Sequence, residues 1–182
     1  MSFLPKDVLR QKFALLAVAG MTYGFATTNG AASERIYFEN VQGTWQGAGR
    51  IVAGPYKNTR FTCNLSGRQP TRVGMKLSGK CRVGLFTQPI EAVVAKSSGR
   101  YRGKFLDGAK GKGLDIISGR LRGKKLVLGI KRKKLVGTMV ANLRDRNKLN
   151  ITISVKVNGG LVPFIGLSLA RTGGVKRAAL SN

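Results

Sequence analysis

After residue 34 the chain alternates between apolar and polar residues one position at a time, in segment after segment. Over 72–83, Val73, Met75, Leu77, Gly79, Cys81 and Val83 share one face, and Arg72, Gly74, Lys76, Ser78, Lys80 and Arg82 share the other. Leu149, Ile151, Ile153, Val155 and Val157 alternate in the same way with Asn150, Thr152, Ser154 and Lys156. Phe61, Cys63 and Leu65 interleave with Arg60, Thr62 and Asn64; Leu126, Leu128 and Ile130, then Leu135, Met139 and Leu143, extend the pattern. A period of two puts successive side chains on opposite faces of a strand, so the pattern predicts antiparallel sheet with one dry face and one wet face. Helical periodicity is almost absent over the same region.

The breaks between these runs are turn chemistry: Gly67-Arg68-Gln69-Pro70, Ser97-Ser98-Gly99, Asp107-Gly108, Arg122-Gly123 and Asn158-Gly159. Asn-Gly is a strong signal for a two-residue hairpin, because both turn residues must adopt positive φ. About ten strands, joined by short connections, point to a barrel or sandwich. Short loops in chain order favour an all-β, antiparallel up-and-down β-barrel, a closure that leaves no exposed edge. The expected organisation is an N-terminal signal helix over 1–33, a barrel domain over 34–172 and a flexible basic tail over 173–182.

The signal reading rests on a short apolar run. Lys6, Arg10 and Lys12 precede Phe13 through Met21, and small residues then lead to Gly30-Ala31-Ala32-Ser33. That order suits export and cleavage, and the run is too short and too glycine-interrupted for a comfortable membrane span. An uncleaved anchor is the alternative. A periplasmic or secreted location follows.

Charge changes the picture more than overall composition does. Lys and Arg number 33 against 7 Asp and Glu, for a net charge of +26 over 182 residues. Removing 1–33 takes away three cations and Asp7 and leaves the remainder at +24. Uncompensated cations cannot be buried, so this field faces solvent or a polyanion. The cations expected to meet such a partner are Arg72, Lys76, Lys80, Arg82, Arg102, Lys104, Arg120, Arg122, Lys124, Lys125, Lys131, Arg132, Lys133 and Lys134. Aromatic residues are sparse among them, which disfavours base stacking on nucleic acid.

The segment Gly43-Thr44-Trp45-Gln46-Gly47-Ala48-Gly49 resembles the opening strand of the calycin barrels. Lipocalins begin with Gly-x-Trp, and the nitrobindin-like branch extends this to Gly-x-Trp-x-Gly-x-Gly. The resemblance implies that Trp45 plugs one barrel end beneath a late-strand arginine, a role Arg171 is placed to fill. It also implies an apolar pocket, for which Trp45, Phe61, Met75, Leu77, Tyr101, Phe105, Leu128 and Ile153 are candidates; the same residues would fill a solid core equally well. Nitrobindin-like proteins ligate haem through histidine, and this chain has none. No cofactor is expected.

Catalytic signals are weak. Gly74 through Cys81 approaches a phosphate-binding loop, but cysteine replaces the magnesium-binding Ser or Thr, and the segment alternates like a strand. Gly108-Ala109-Lys110-Gly111-Lys112-Gly113 is a basic glycine loop with no further motif around it. The acids form no spaced pair of the kind hydrolysis or metal binding uses. Cys63 and Cys81 fall on inward faces of neighbouring strands and, in an exported chain, are expected to form a structural disulfide across a loop longer than a tight turn, roughly 68–76. Two buried thiols are the alternative.

These readings lead to an exported, non-enzymatic envelope protein whose basic barrel binds polyanions such as lipopolysaccharide, acidic glycans or anionic lipid. Its competitors are a lipocalin-like carrier of a small apolar ligand and a cytosolic nucleic-acid-binding protein. The oligomeric state is left open.

Overall fold

A computed structural model describes residues 29–106 and 113–174. Helix α1 (Asn29–Glu39) is followed by ten strands: β1 (Gly43–Ile51), β2 (Arg60–Arg68), β3 (Gly74–Val83), β4 (Phe86–Ser97), β5 (Arg100–Leu106), β6 (Leu114–Arg122), β7 (Lys125–Arg132), β8 (Leu135–Asp145), β9 (Lys148–Val157) and β10 (Gly160–Gly173). Each strand pairs antiparallel with its neighbours in sequence, and β10 returns to β1, so the sheet is a closed up-and-down barrel. Closure is long: Trp45 pairs with Arg171 and Ile51 with Ile165, at opposite ends of β1. It satisfies the backbone groups that an edge strand would expose.

The alternation seen in the sequence sets the inside and the outside. In β2 Cys63 and Leu65 are buried between the exposed Arg60, Thr62 and Asn64. In β8 Gly137, Met139, Ala141 and Leu143 are buried in turn. The hairpin at 158–159 has the expected chemistry, with Asn158 at φ 48° and Gly159 at φ 83°. Ser98 and Gly99 repeat it at φ 48° and 75°.

Three features differ from the simple reading. Residues 34–39 are helical, and the expected domain boundary at 33/34 falls inside α1. Only three turns long, this helix carries too few apolar repeats to register as periodicity. The Gly67–Pro70 signal does not make a tight turn, because β2 runs to Arg68 and the connection spans 69–73. Pro89 lies inside β4 and Pro163 inside β10; Pro163 sits where β10 has outrun β1, which pairs with it only from Ile165 onward. A residue with no N–H is tolerated where no partner strand would accept one. Residues 1–28 of the expected signal segment, the Asp107-Gly108 turn, residues 108–112 of the glycine loop and the tail from 175 lie outside the described residues.

Candidate ligand cavity and barrel mouth

The two ends of the barrel are built differently. The base, where α1 enters, is solid. Tyr37, Phe38 and Val41 are buried with Trp45, Leu126, Leu128 and Leu149. The Tyr37 and Phe38 rings meet in a T-shaped arrangement at a centroid distance of 5.3 Å. A buried phenol needs a partner, and the Tyr37 hydroxyl donates to the Ala141 carbonyl at 2.8 Å. Burial pushes the Tyr37 phenol well above its ordinary pKa.

Arg171 locks the helix to the sheet. Its guanidinium carbon lies 4.2 Å from the centre of the Trp45 ring. Its nitrogens donate to the carbonyls of Asn40 (2.6 Å), Gln42 and, from the turn between β8 and β9, Arg146 (2.7 Å). One cation therefore satisfies two carbonyls just past the C-terminus of α1, where the helix dipole favours positive charge. Trp45 completes the joint by donating from Nε1 to the Val41 carbonyl at 2.8 Å. Gly43 sits at φ 116°, and a Cβ there would run into the Arg171 guanidinium.

A polar cluster closes the other side of the base. Lys96 Nζ reaches both Glu34 carboxylate oxygens at 2.8 Å, and the Tyr101 hydroxyl donates to Glu34 at 2.8 Å. Burial first, and the Glu34 carboxylate second, push the Tyr101 phenol upward. Sequence reading missed this cluster because Glu34 and Lys96 are 62 positions apart. It also missed α1 as the plug; the one local hint was the adjacent pair Tyr37-Phe38.

The opposite half, the mouth, is hollow. A cavity of about 270 Å³ lies between the base and the mouth. Of the pocket residues read from the sequence, Phe61, Met75, Leu77, Phe105 and Ile153 line it. Trp45, Tyr101 and Leu128 do not; they stand in the packed base, where α1 already fills the space. The inward residues show the difference: Phe61, Phe105, Ile151 and Ile165 are only half-buried against the cavity, whereas Trp45 and Leu128 are fully buried. The lining is aliphatic, aromatic and sulfur-bearing, and among the described residues Gln88 brings the one amide side chain to it near the mouth.

Cys63 and Cys81 face one another across β2 and β3, with Cα atoms 4.0 Å apart, and form a disulfide set in the cavity wall. The connection over 69–73 provides the offset that brings them opposite. A disulfide of this kind fits a protein that matures outside the cytoplasm. No helix among the described residues is long and apolar enough to cross a membrane.

The cations expected to bind polyanions do not form one patch. Arg72, Lys124 and Lys125 stand at the base, and Lys131 through Lys134 stand at the mouth end of β7 and its turn. Lys76 pairs with Glu91 at 2.8 Å and Lys104 with Asp115 at 4.0 Å. Arg102 is tied to the carbonyls of Tyr101 and Ile117. Lys80 and Arg82 share the outer wall with Asn64 and Thr62 opposite them on β2, while Arg120 and Arg122 lie on β6.

No protein-family model matches the chain, and no curated protein matches it in sequence. In three dimensions it is similar to Rv2717c from M. tuberculosis, with a TM-score of 0.54 and 10% identity, covering 76% of this chain and 96% of that one. It is also similar to the S-type phycobiliprotein lyase CPES from Guillardia theta, with a TM-score of 0.50 and 13% identity, covering 77% of this chain and 95% of that one. At these identities the likeness is one of fold. What the comparisons share with this chain is the closed antiparallel barrel.

Proposed function

We propose that this protein is an extracytoplasmic carrier that holds a small apolar ligand in the mouth half of its barrel. The observation that carries the reading is the cavity of about 270 Å³ walled by Phe61, Met75, Leu77, Phe105, Ile153 and their neighbours. Inward apolar side chains left half-buried gain by covering their exposed area, at about 25 cal/mol for each Å² removed from water. A volume of this size suits a small molecule or a single acyl chain. The lipocalin-like fold is consistent with carriage. Binding is placed ahead of catalysis because the described lining offers neither an acid–base pair nor an activated nucleophile.

The test is titration with a neutral apolar fluorophore, N-phenyl-1-naphthylamine, against the parent and Ala92→Phe. Ala92 is buried and lines the cavity, so a phenyl ring there takes up ligand space. The expected result is saturable one-to-one binding that weakens about ten-fold or more in the variant, as loss of most of the pocket implies. Equal binding by both proteins would place the probe elsewhere and remove the carrier reading.

A second reading, a polyanion surface on the outer wall, is favoured by one feature. Lys80 and Arg82 border a groove with Thr62, Asn64 and Thr87, and no ion pair joins either cation to a described acid. Heparin retention that collapses between low and high salt, and that drops for Lys80→Ser with Arg82→Ser, would support it. Retention indifferent to salt would rule it out.

A further inference from the structure

We infer that the mouth of the barrel is a docking surface for an anionic lipid bilayer. The exposed large apolar side chains of the described residues are concentrated at one end: all but Ile36 and Ile117 lie at the mouth. Leu85 and Phe86, at the turn between β3 and β4, are 98% and 81% exposed. Tyr56, in the connection between β1 and β2, is 69% exposed. Leu135 follows the turn between β7 and β8, and Val157 and Leu161 flank the turn between β9 and β10. Every mouth connection that the structure describes therefore carries or adjoins an exposed apolar group. The base, by contrast, buries its apolar residues beneath α1.

The pairing pattern carries one of these hairpins outward: β10 pairs with β9 from Gly160 but with β1 only from Ile165 onward, so its first residues stand beyond β1. Scattered single apolar residues on a soluble surface need no explanation, but a ring of them confined to one rim does.

Charge decides what the rim meets. Lys57, Arg82, Lys156 and the run Lys131 through Lys134 accompany the apolar groups. Of the described acids only Asp115 stands at the mouth, and it is paired with Lys104. Lys133 holds its turn at φ 53°, a conformation that glycine or asparagine adopts with less strain. The turn thus keeps a cation where backbone geometry would prefer another residue. Apolar tips surrounded by cations match the boundary of an anionic bilayer, where acyl chains receive the first and phosphates the second. The cavity opens at this same end, so docking would let an apolar ligand pass between lipid and barrel without crossing water. That last step rests on the carrier reading; the docking does not.

The experiment is co-sedimentation of the full chain with vesicles of phosphatidylcholine alone and of phosphatidylcholine mixed with phosphatidylglycerol. The parent should pellet with the mixed vesicles and not with the neutral ones. Leu85→Ser with Phe86→Ser should weaken that binding about ten-fold while leaving N-phenyl-1-naphthylamine binding intact, since neither residue lines the cavity. Lys133→Asn with Lys134→Ser should weaken it about five-fold, and Lys124→Ser with Lys125→Ser at the base should leave it unchanged. Phe86→Trp provides a readout independent of the serine variants: its emission should shift blue and be quenched by brominated anionic lipid.

Equal loss from base and mouth variants would reduce the effect to general charge and overturn the proposal. So would unquenched Phe86→Trp emission, or pelleting with neutral vesicles as strong as with anionic ones. Vesicle binding by a protein that takes up no probe would strike the carrier reading and leave the docking standing.

Discussion

Arg171 is the residue on which the base of the barrel turns, because stacking on Trp45 and hydrogen bonding to Asn40, Gln42 and Arg146 converge on one guanidinium. Lysine has neither the planar fork nor the stacking face. Arg171→Ala should cost about 2–4 kcal/mol, and Arg171→Lys should restore less than half of that, measured by urea unfolding. The arginine could be anticipated from the sequence only through the Gly-x-Trp resemblance; its grip on α1 could not, since nothing local announced that helix.

The buried Tyr37 phenol makes a further residue-scale prediction. Its pKa is raised in the folded chain, so above pH about 10, the ordinary phenol value, the unfolded state releases a proton that the native state retains. Tyr37 therefore contributes stability that is present below that pH and lost as pH rises above it. Tyr37→Phe, although less stable at neutral pH through loss of the bond to Ala141, should lose less stability than the parent between pH 9 and 11. Parallel losses in the two proteins would show that the phenol does not ionise differently on unfolding.

At the scale of elements, strands were the legible part of this chain. A period of two is readable wherever one face is dry, and Asn158-Gly159 marked its hairpin without help from tertiary structure. Helix α1 and the polar cluster of Glu34, Lys96 and Tyr101 were not legible, because both depend on contacts between residues distant in sequence. The same limit separated a filled half from a hollow half. Trp45 and Phe61 both alternate inward, and only the plug formed by Tyr37 and Phe38 decides which end is solid.

The disulfide joins β2 to β3 across 18 positions. Replacing both cysteines with alanine should lower stability by about 3 kcal/mol on the chain-entropy account, seen as a lower denaturant midpoint. A variant as stable as the parent would mean that the bridge constrains little in the unfolded chain.

For the molecule as a whole, the sequence pointed to charge first and cavity second, and the reading proposed above puts the cavity first. The cations divide between base, outer wall and mouth, with several tied to acids or carbonyls, whereas the inward apolar residues build a packed base and wall a chamber. Net charge is a property of composition and says little about where a site is; the chamber is a property of topology and register.

Calorimetric titration of the parent with N-phenyl-1-naphthylamine at several temperatures, in low salt and in high salt, tests the central claim most directly. The account predicts one site per chain, a negative heat-capacity change from apolar burial, and an affinity that salt leaves unaltered. Non-saturable binding, or a heat signal that disappears as salt is raised, would contradict it.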